Sequence, residues 1–196
     1  IKGYLRGYGS SNLSKIDVQN CVVRYSSAGS DSYMFSYFTS SIFNNNTCFY
    51  SNSNYLINLF HQVANSQITN NILLNTNSSH YNYVFSTTTG NAIEHNILSN
   101  TSSLSGFPNN KTGYGGAESS LFECCGTFSD YYKLSSNSVA KGYATDGGEC
   151  GCHGGMFGCP SGGRPQYVPY FSKVVVGSRT ENGKLPVKLT VKIQEQ

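Results

Sequence analysis

Charge is scarce in this chain. Only 12% of its 196 residues are charged, Trp is absent, and between Ser26 and Asn110 there is no Lys or Arg and only two carboxylates, Asp31 and Glu94. Nucleic acids and anionic membrane surfaces are held by clustered Lys and Arg. A net charge of +3 spread this thinly points to neither partner. No apolar run is long enough to span a bilayer, so no membrane insertion is expected. The opening "IKGYLRGYGSS" lacks the apolar stretch and small-residue cleavage site of a secretory leader. A start inside a structural element, without Met, suggests that upstream sequence has been removed.

Acidic groups are as sparse as basic ones. Four Asp (Asp17, Asp31, Asp130, Asp146) and six Glu form no D-x-D or paired cluster. Cleavage of polysaccharides needs clustered carboxylates, or a basic residue beside a calcium-binding acidic group. The best outward pair, Asp17 and Glu94, falls three repeat spacings apart, roughly 14 Å, against the ~5 to 10 Å at which paired carboxylates work. The missing basic residues also argue against a lyase acting on acidic sugars in this segment.

Seven cysteines are present, and an odd number leaves at least one free, bound or paired with another chain. Spacings of C-C, C-x-C and C-x₆-C do not match the paired C-x₂₋₄-C knuckles of structural zinc, so no metal is expected, nor any other cofactor. A disulfide from Cys159 to Cys124 or Cys125 stays open if the protein is secreted. Triplets of the N-x-S/T type, such as those at Asn77 and Asn100, arise by chance in so Asn- and Ser-rich a chain.

What the chain does have is a repeat. "VQNCVV" from Val18, "FTSSIF" from Phe38, "ITNNIL" from Ile68 and "IEHNIL" from Ile93 share one pattern, with starts 20, 30 and 25 residues apart. Those spacings fall in the range of solenoids. A second motif alternates with the first: "SYMF" from Ser32, "NYLI" from Asn54, "NYVF" from Asn82 and, more weakly, "SLF" from Ser120. The residues are β-type, and no stretch of helical length keeps a 3.6-residue period. Short strands broken every few residues bury their apolar sides by stacking on equivalent strands, which predicts a parallel β-solenoid with coils about 4.8 Å apart. Asn20, Ser40, Asn70 and His95 fall at one position of the first motif, where side-chain amides would form a ladder and satisfy turn backbone. On this reading His95 substitutes for Asn and is not a general base.

From Tyr132 the chain reads "YKLSSNSVAKGYATDGGECGCHGG". This resembles the closing segment of secreted right-handed parallel β-helix proteins of the pectate-lyase-like type, with Y-x-L-x-x-x-S-x-A-x-G-x-x-x-D-G followed by a short apolar strand ending in G-x-x-G-G. The tail "PYFSKVVVGSRTENGKLPVKLTVKIQEQ" resembles the β-rich ending of large β-helix proteins from gut Bacteroidetes. The resemblance implies a fold and leaves the reaction open. In its register Cys150 and Cys152 stand where family members carry apolar residues, so both are expected as core of the last coil. Cys21 reads as structural.

The expected architecture is therefore all-β, a right-handed parallel β-helix over 1–160 with a loop excursion at about 101–119. A C-terminal β-hairpin tail over 161–196 packs on the helix end, its turn marked by Asn182-Gly183. Fifteen Tyr and abundant Asn, Ser and Thr on a repetitive flat face suit stacking and hydrogen bonding to a neutral glycan. The outward candidates are Asp17, Tyr37, Gln67, Thr69 and Glu94. The expected function is a noncatalytic extracellular or cell-surface scaffold or adhesin segment contacting a polysaccharide or a cell-surface protein. Two alternatives stand beside it: the C-terminal part of a polysaccharide lyase or glycoside hydrolase with catalytic residues mostly upstream, and a fibre subunit that self-assembles by end or edge pairing.

Overall fold

A computed structural model of the chain describes residues 5–6, 13–27, 33–52, 58–75, 85–86, 89–99, 107, 109–114, 118–123, 132–155, 170–176 and 187–192. Thirteen short strands build three parallel sheets, an arrangement that fits a β-helix-like solenoid. The first sheet runs β1 (Leu5–Arg6), β5 (Tyr33–Thr39), β8 (Asn58–Ala64) and β11 (Phe85–Ser86), with β2 (Leu13–Ser14) also on β5. The second stacks β3 (Asp17–Gln19), β6 (Ile42–Asn44), β9 (Gln67–Thr69) and β12 (Ala92–Glu94). The third stacks β4 (Val22–Ser27), β7 (Thr47–Asn52), β10 (Ile72–Asn75) and β13 (Ile97–Leu98).

Through the middle of the stack the period is 25 residues. Val18 pairs with Phe43, Phe43 with Ile68 and Ile68 with Ile93. Phe35, Phe60 and Phe85 stack in the first sheet, and Val23, Cys48, Leu73 and Leu98 in the third. The second member of the first motif is therefore "FNNNTC" from Phe43, and not "FTSSIF" from Phe38, which belongs to the preceding corner, where Phe38 pairs with Leu13 and Val63. The step of 30 survives only at the start, where Leu5 pairs with Phe35.

Inward side chains from all three sheets make one core. Its rings interlock: Phe35 stacks on Phe60 at 5.0 Å, Phe60 on Phe85 at 5.4 Å, and Phe43 meets Phe60 edge-on at 5.2 Å. Each fully buried side chain of this size stabilises the fold by about 1.5–3 kcal/mol.

Among the described residues, two corners per repeat turn the chain between sheets, and each is made by a residue in the left-handed region. One column is Lys15, Ser40, Asn65 and Gly90; the other is Asn20, Asn45, Asn70 and His95, all with φ between 49° and 67°. An L-residue there costs roughly 1–2 kcal/mol, least for Asn. After the first pair of corners, the residue that follows each corner offsets the cost through its side chain. Ile16 N–H donates to Ser41 Oγ, Ser41 N–H to Ser66 Oγ and Ser66 N–H to Asn91 Oδ1. At the second corner Asn46, Asn71, Asn96 and Asn110 form a continuous amide ladder, with Nδ2–Oδ1 distances of 3.1, 2.9 and 2.9 Å.

The excursion after β13 contains a shortened fifth turn. His95 N–H donates to Asn109 O, Ile97 bridges Lys111, and Asn109 repeats the corner conformation after 14 residues at φ 67°. "SLF" is not a strand: Ser120 and Leu121 close a short helix, α1 (Glu118–Leu121), and Phe122 follows it. Near the C-terminus β14 (Tyr170–Val176) pairs antiparallel with β15 (Val187–Lys192), as a hairpin requires. Its turn at Asn182-Gly183 and its seating on the stack lie outside the described residues.

Candidate functional site

Strand alternation turns Val18, Phe43, Ile68 and Ile93 inward and their neighbours outward. The outer face of the second sheet thus carries two columns in register, Asp17, Ile42, Gln67 and Ala92 beside Gln19, Asn44, Thr69 and Glu94. Asp17, Gln19, Gln67 and Ala92 are exposed and the other four half-buried. Four of the five sequence candidates, Asp17, Gln67, Thr69 and Glu94, meet on this face. Tyr37 does not: it lies on β5 in the first sheet, at φ 65°, with its ring edge-on to His61.

The face is preorganised by its own hydrogen bonds. Gln19 Nε2 donates to Asp17 Oδ2 at 2.8 Å, and Asn44 Oδ1 accepts from both Thr69 Oγ1 at 3.1 Å and Asn70 Nδ2 at 3.0 Å. Donors and acceptors of this kind on adjacent parallel strands match the hydroxyls of a neutral chain molecule lying along the stack. Asp17 and Glu94 stand three repeats apart, on opposite end strands of the sheet.

One edge of this face is held by a segment that the sequence reading placed in a last coil. Residues 143–155 form turns and no strand, and they run across the strand ends down the second corner column. Cys150 Sγ donates to His95 O, Gly151 N–H to Asn70 O and Cys152 N–H to Thr47 Oγ1; Asn20 Nδ2 donates to Cys152 O and Gly154 O. Asn70 also exchanges bonds with Thr145, whose N–H donates to Asn70 Oδ1 and whose Oγ1 accepts from Asn70 Nδ2. Asn20, Asn70 and His95 therefore anchor this strap, Ser40 belongs to the other corner column, and the amide ladder runs one residue further on.

Glycine makes the close approach feasible. A Cβ on Gly151 would meet Ile72 Cδ1 at 2.7 Å and Thr47 Oγ1 at 2.8 Å, and one on Gly154 would collide with Glu149 O. Beneath the strap and the chain that leads to it lies a second core: Phe49, Ile72, Leu74 and Ile97 from the outer face of the third sheet, covered by Leu121, Phe122, Leu134, Ala140, Ala144 and Cys150. Arg24 closes its rim, donating from Nε to Tyr132 Oη at 2.6 Å with its guanidinium over the Phe49 ring.

Cys150 and Cys152 are both 1% exposed, and Cys150 is part of this second core. Burial pushes the Cys150 thiol up to about 12; Lys111 pulls it down and Asp146 adds to the rise. Burial raises Cys48 and Tyr50 too, each helped by a neighbour, Cys21 and Cys48 respectively. Thiols protonated at neutral pH are poor nucleophiles and poor ligands. Among the described residues no group of three or more His, Cys, Asp or Glu is placed to hold a metal. Cys124, Cys125 and Cys159, and any disulfide between them, lie outside the described residues. Among the described residues, no helix is long and apolar enough to cross a membrane.

The missed signal was glycine density. "GGECGCHGG" reads as a strand end by resemblance, but Gly151 and Gly154 fall where the strap presses against packed side chains and backbone. Comparison of the chain with protein-family models, with curated proteins and with solved structures finds no match.

Proposed function

We propose that this chain is a noncatalytic segment of an extracellular or cell-surface right-handed β-helix of the pectate-lyase-like type, which holds a neutral polysaccharide along the outer face of the second sheet. The observation that carries the reading is the register that puts Asp17, Gln67, Thr69 and Glu94 on one face with Gln19 and Asn44. Amides and a hydroxyl make up half of that face, and its two carboxylates stand on opposite end strands, with no neighbouring pair for acid and base work.

The test is affinity electrophoresis of the purified chain through gels containing neutral or acidic polysaccharides, with parallel detection of new reducing ends. Retardation by a neutral polymer without product, weakened in a Gln67→Ala/Thr69→Ala variant, supports the reading. Product release would instead return the chain to the lyase or hydrolase class. Migration unchanged by every polymer removes the glycan.

A further inference from the structure

Ser36 lies in the middle of β5 at 1% exposure, and its hydroxyl has no hydrogen-bond partner. A buried hydroxyl left unpaired destabilises a fold, and native structures keep few of them without a reason. Ser36 is in register with His61 on β8, so the two side chains point to the same side of the first sheet. The rings around them are arranged for contact. Tyr33 stacks on His61 with centroids 3.9 Å apart and planes 13° from parallel, and Tyr37 meets the same imidazole edge-on at 5.7 Å. Tyr37 holds φ 65°, a conformation that is a genuine outlier for a bulky residue.

From this juxtaposition we infer that Ser36, His61, Tyr33 and Tyr37 form a closed binding site for a single hydroxyl-bearing aliphatic ring, of which a pyranose is the type. Tyrosine faces accept the C–H side of such a ring, while a short hydroxyl and an imidazole bond to its hydroxyls. Tyr33 and Tyr37 are half-buried, and on this proposal the ligand ring reaches the Ser36 hydroxyl when one of them turns aside. The site is on a different sheet from the polysaccharide face and stands or falls independently of it.

The test uses the full chain and a set of methyl pyranosides, followed by the imidazole proton signals of His61 and by tyrosine ring signals in NMR. At least one pyranoside is expected to shift His61 saturably, with the response retained in Gln67→Ala. Ser36→Ala removes a hydroxyl that bonds to nothing in the free protein. Its melting temperature is therefore expected to stay level or rise while the dissociation constant increases at least tenfold, and Ser36→Thr restores part of the affinity. Tyr37→Leu is measured in the same way, so the conclusion does not depend on one variant folding. Signals of His61 that no pyranoside moves, or binding that survives both Ser36→Ala and Tyr37→Leu, overturn the proposal.

Discussion

Asn71 and Asn96 are joined twice. Both the backbone N–H and the side-chain Nδ2 of Asn71 donate to Asn96 Oδ1, each at 2.9 Å. The same double link recurs from Asn46 to Asn71 and from Asn96 to Asn110, while each Nδ2 also reaches a carbonyl of the preceding repeat, such as Phe43 O for Asn71. A buried chain of amides in which every member is satisfied fixes the stacking register.

Asn71→Ala should therefore be severe. It strips the acceptor from Asn46 and the donor from Phe43 O, all buried, and is expected to destabilise the chain by about 3 kcal/mol. Asn137→Ala, at an exposed turn position, is the control and should change little. Thermal and urea unfolding measure the difference.

Ser40→Gly should do the reverse. Ser40 is exposed at φ 49°, where an L-residue is strained, and glycine relieves the strain at a smaller entropic cost. A gain of about 0.5–1 kcal/mol is expected in the same unfolding measurements.

Gly151→Ala tests the strap. The added methyl would press on Ile72 and Thr47 at a backbone φ of 88°, which points to a loss of about 2 kcal/mol or more. A loosened strap should also expose Cys150 and Cys152, so their alkylation under native conditions should accelerate relative to the parent chain.

The buried thiols give a pH dependence. Cys150 titrates near 12 in the folded chain against an ordinary value of 9.0, so between those values the unfolded chain has lost a proton that the folded chain retains. The contribution of Cys150 to stability is constant below about pH 9 and falls as pH rises from there towards 12, in the same direction for Cys48. Replacing Cys150 with Ala should flatten part of that decline in the melting temperature.

Much of the fold was legible because inward positions of β-type residues recur at Val18, Ile68 and Ile93. The displaced member, Phe38, has a physical cause. Among the described residues each repeat shows two corners five residues apart, and both follow one local recipe: an apolar inward residue, a left-handed residue, then a polar acceptor for the next coil. "FTSSIF" satisfies that recipe as well as "FNNNTC" does, and only the constant period separates them. The same ambiguity moved the amide ladder by one residue, because Asn20 and Asn70 sit beside it and bond to the strap. The strap itself was hidden, since a backbone that crosses the ends of strands has no hydrophobic period. Four members of the polar face were legible from alternation alone; Tyr37 was not, because it was placed beside the displaced member Phe38 and lies with it on the first sheet.

The 25-residue register underlies the core, the ladder and the polar face alike, so it is the first thing to measure. Isotope-labelled protein should show side-chain amide contacts from Asn46 to Asn71 and from Asn71 to Asn96, with matching backbone contacts among Thr47, Ile72 and Ile97. Contacts at any other constant spacing, or none between these amides, would contradict the stacked arrangement and with it the face on which Asp17, Gln67, Thr69 and Glu94 meet.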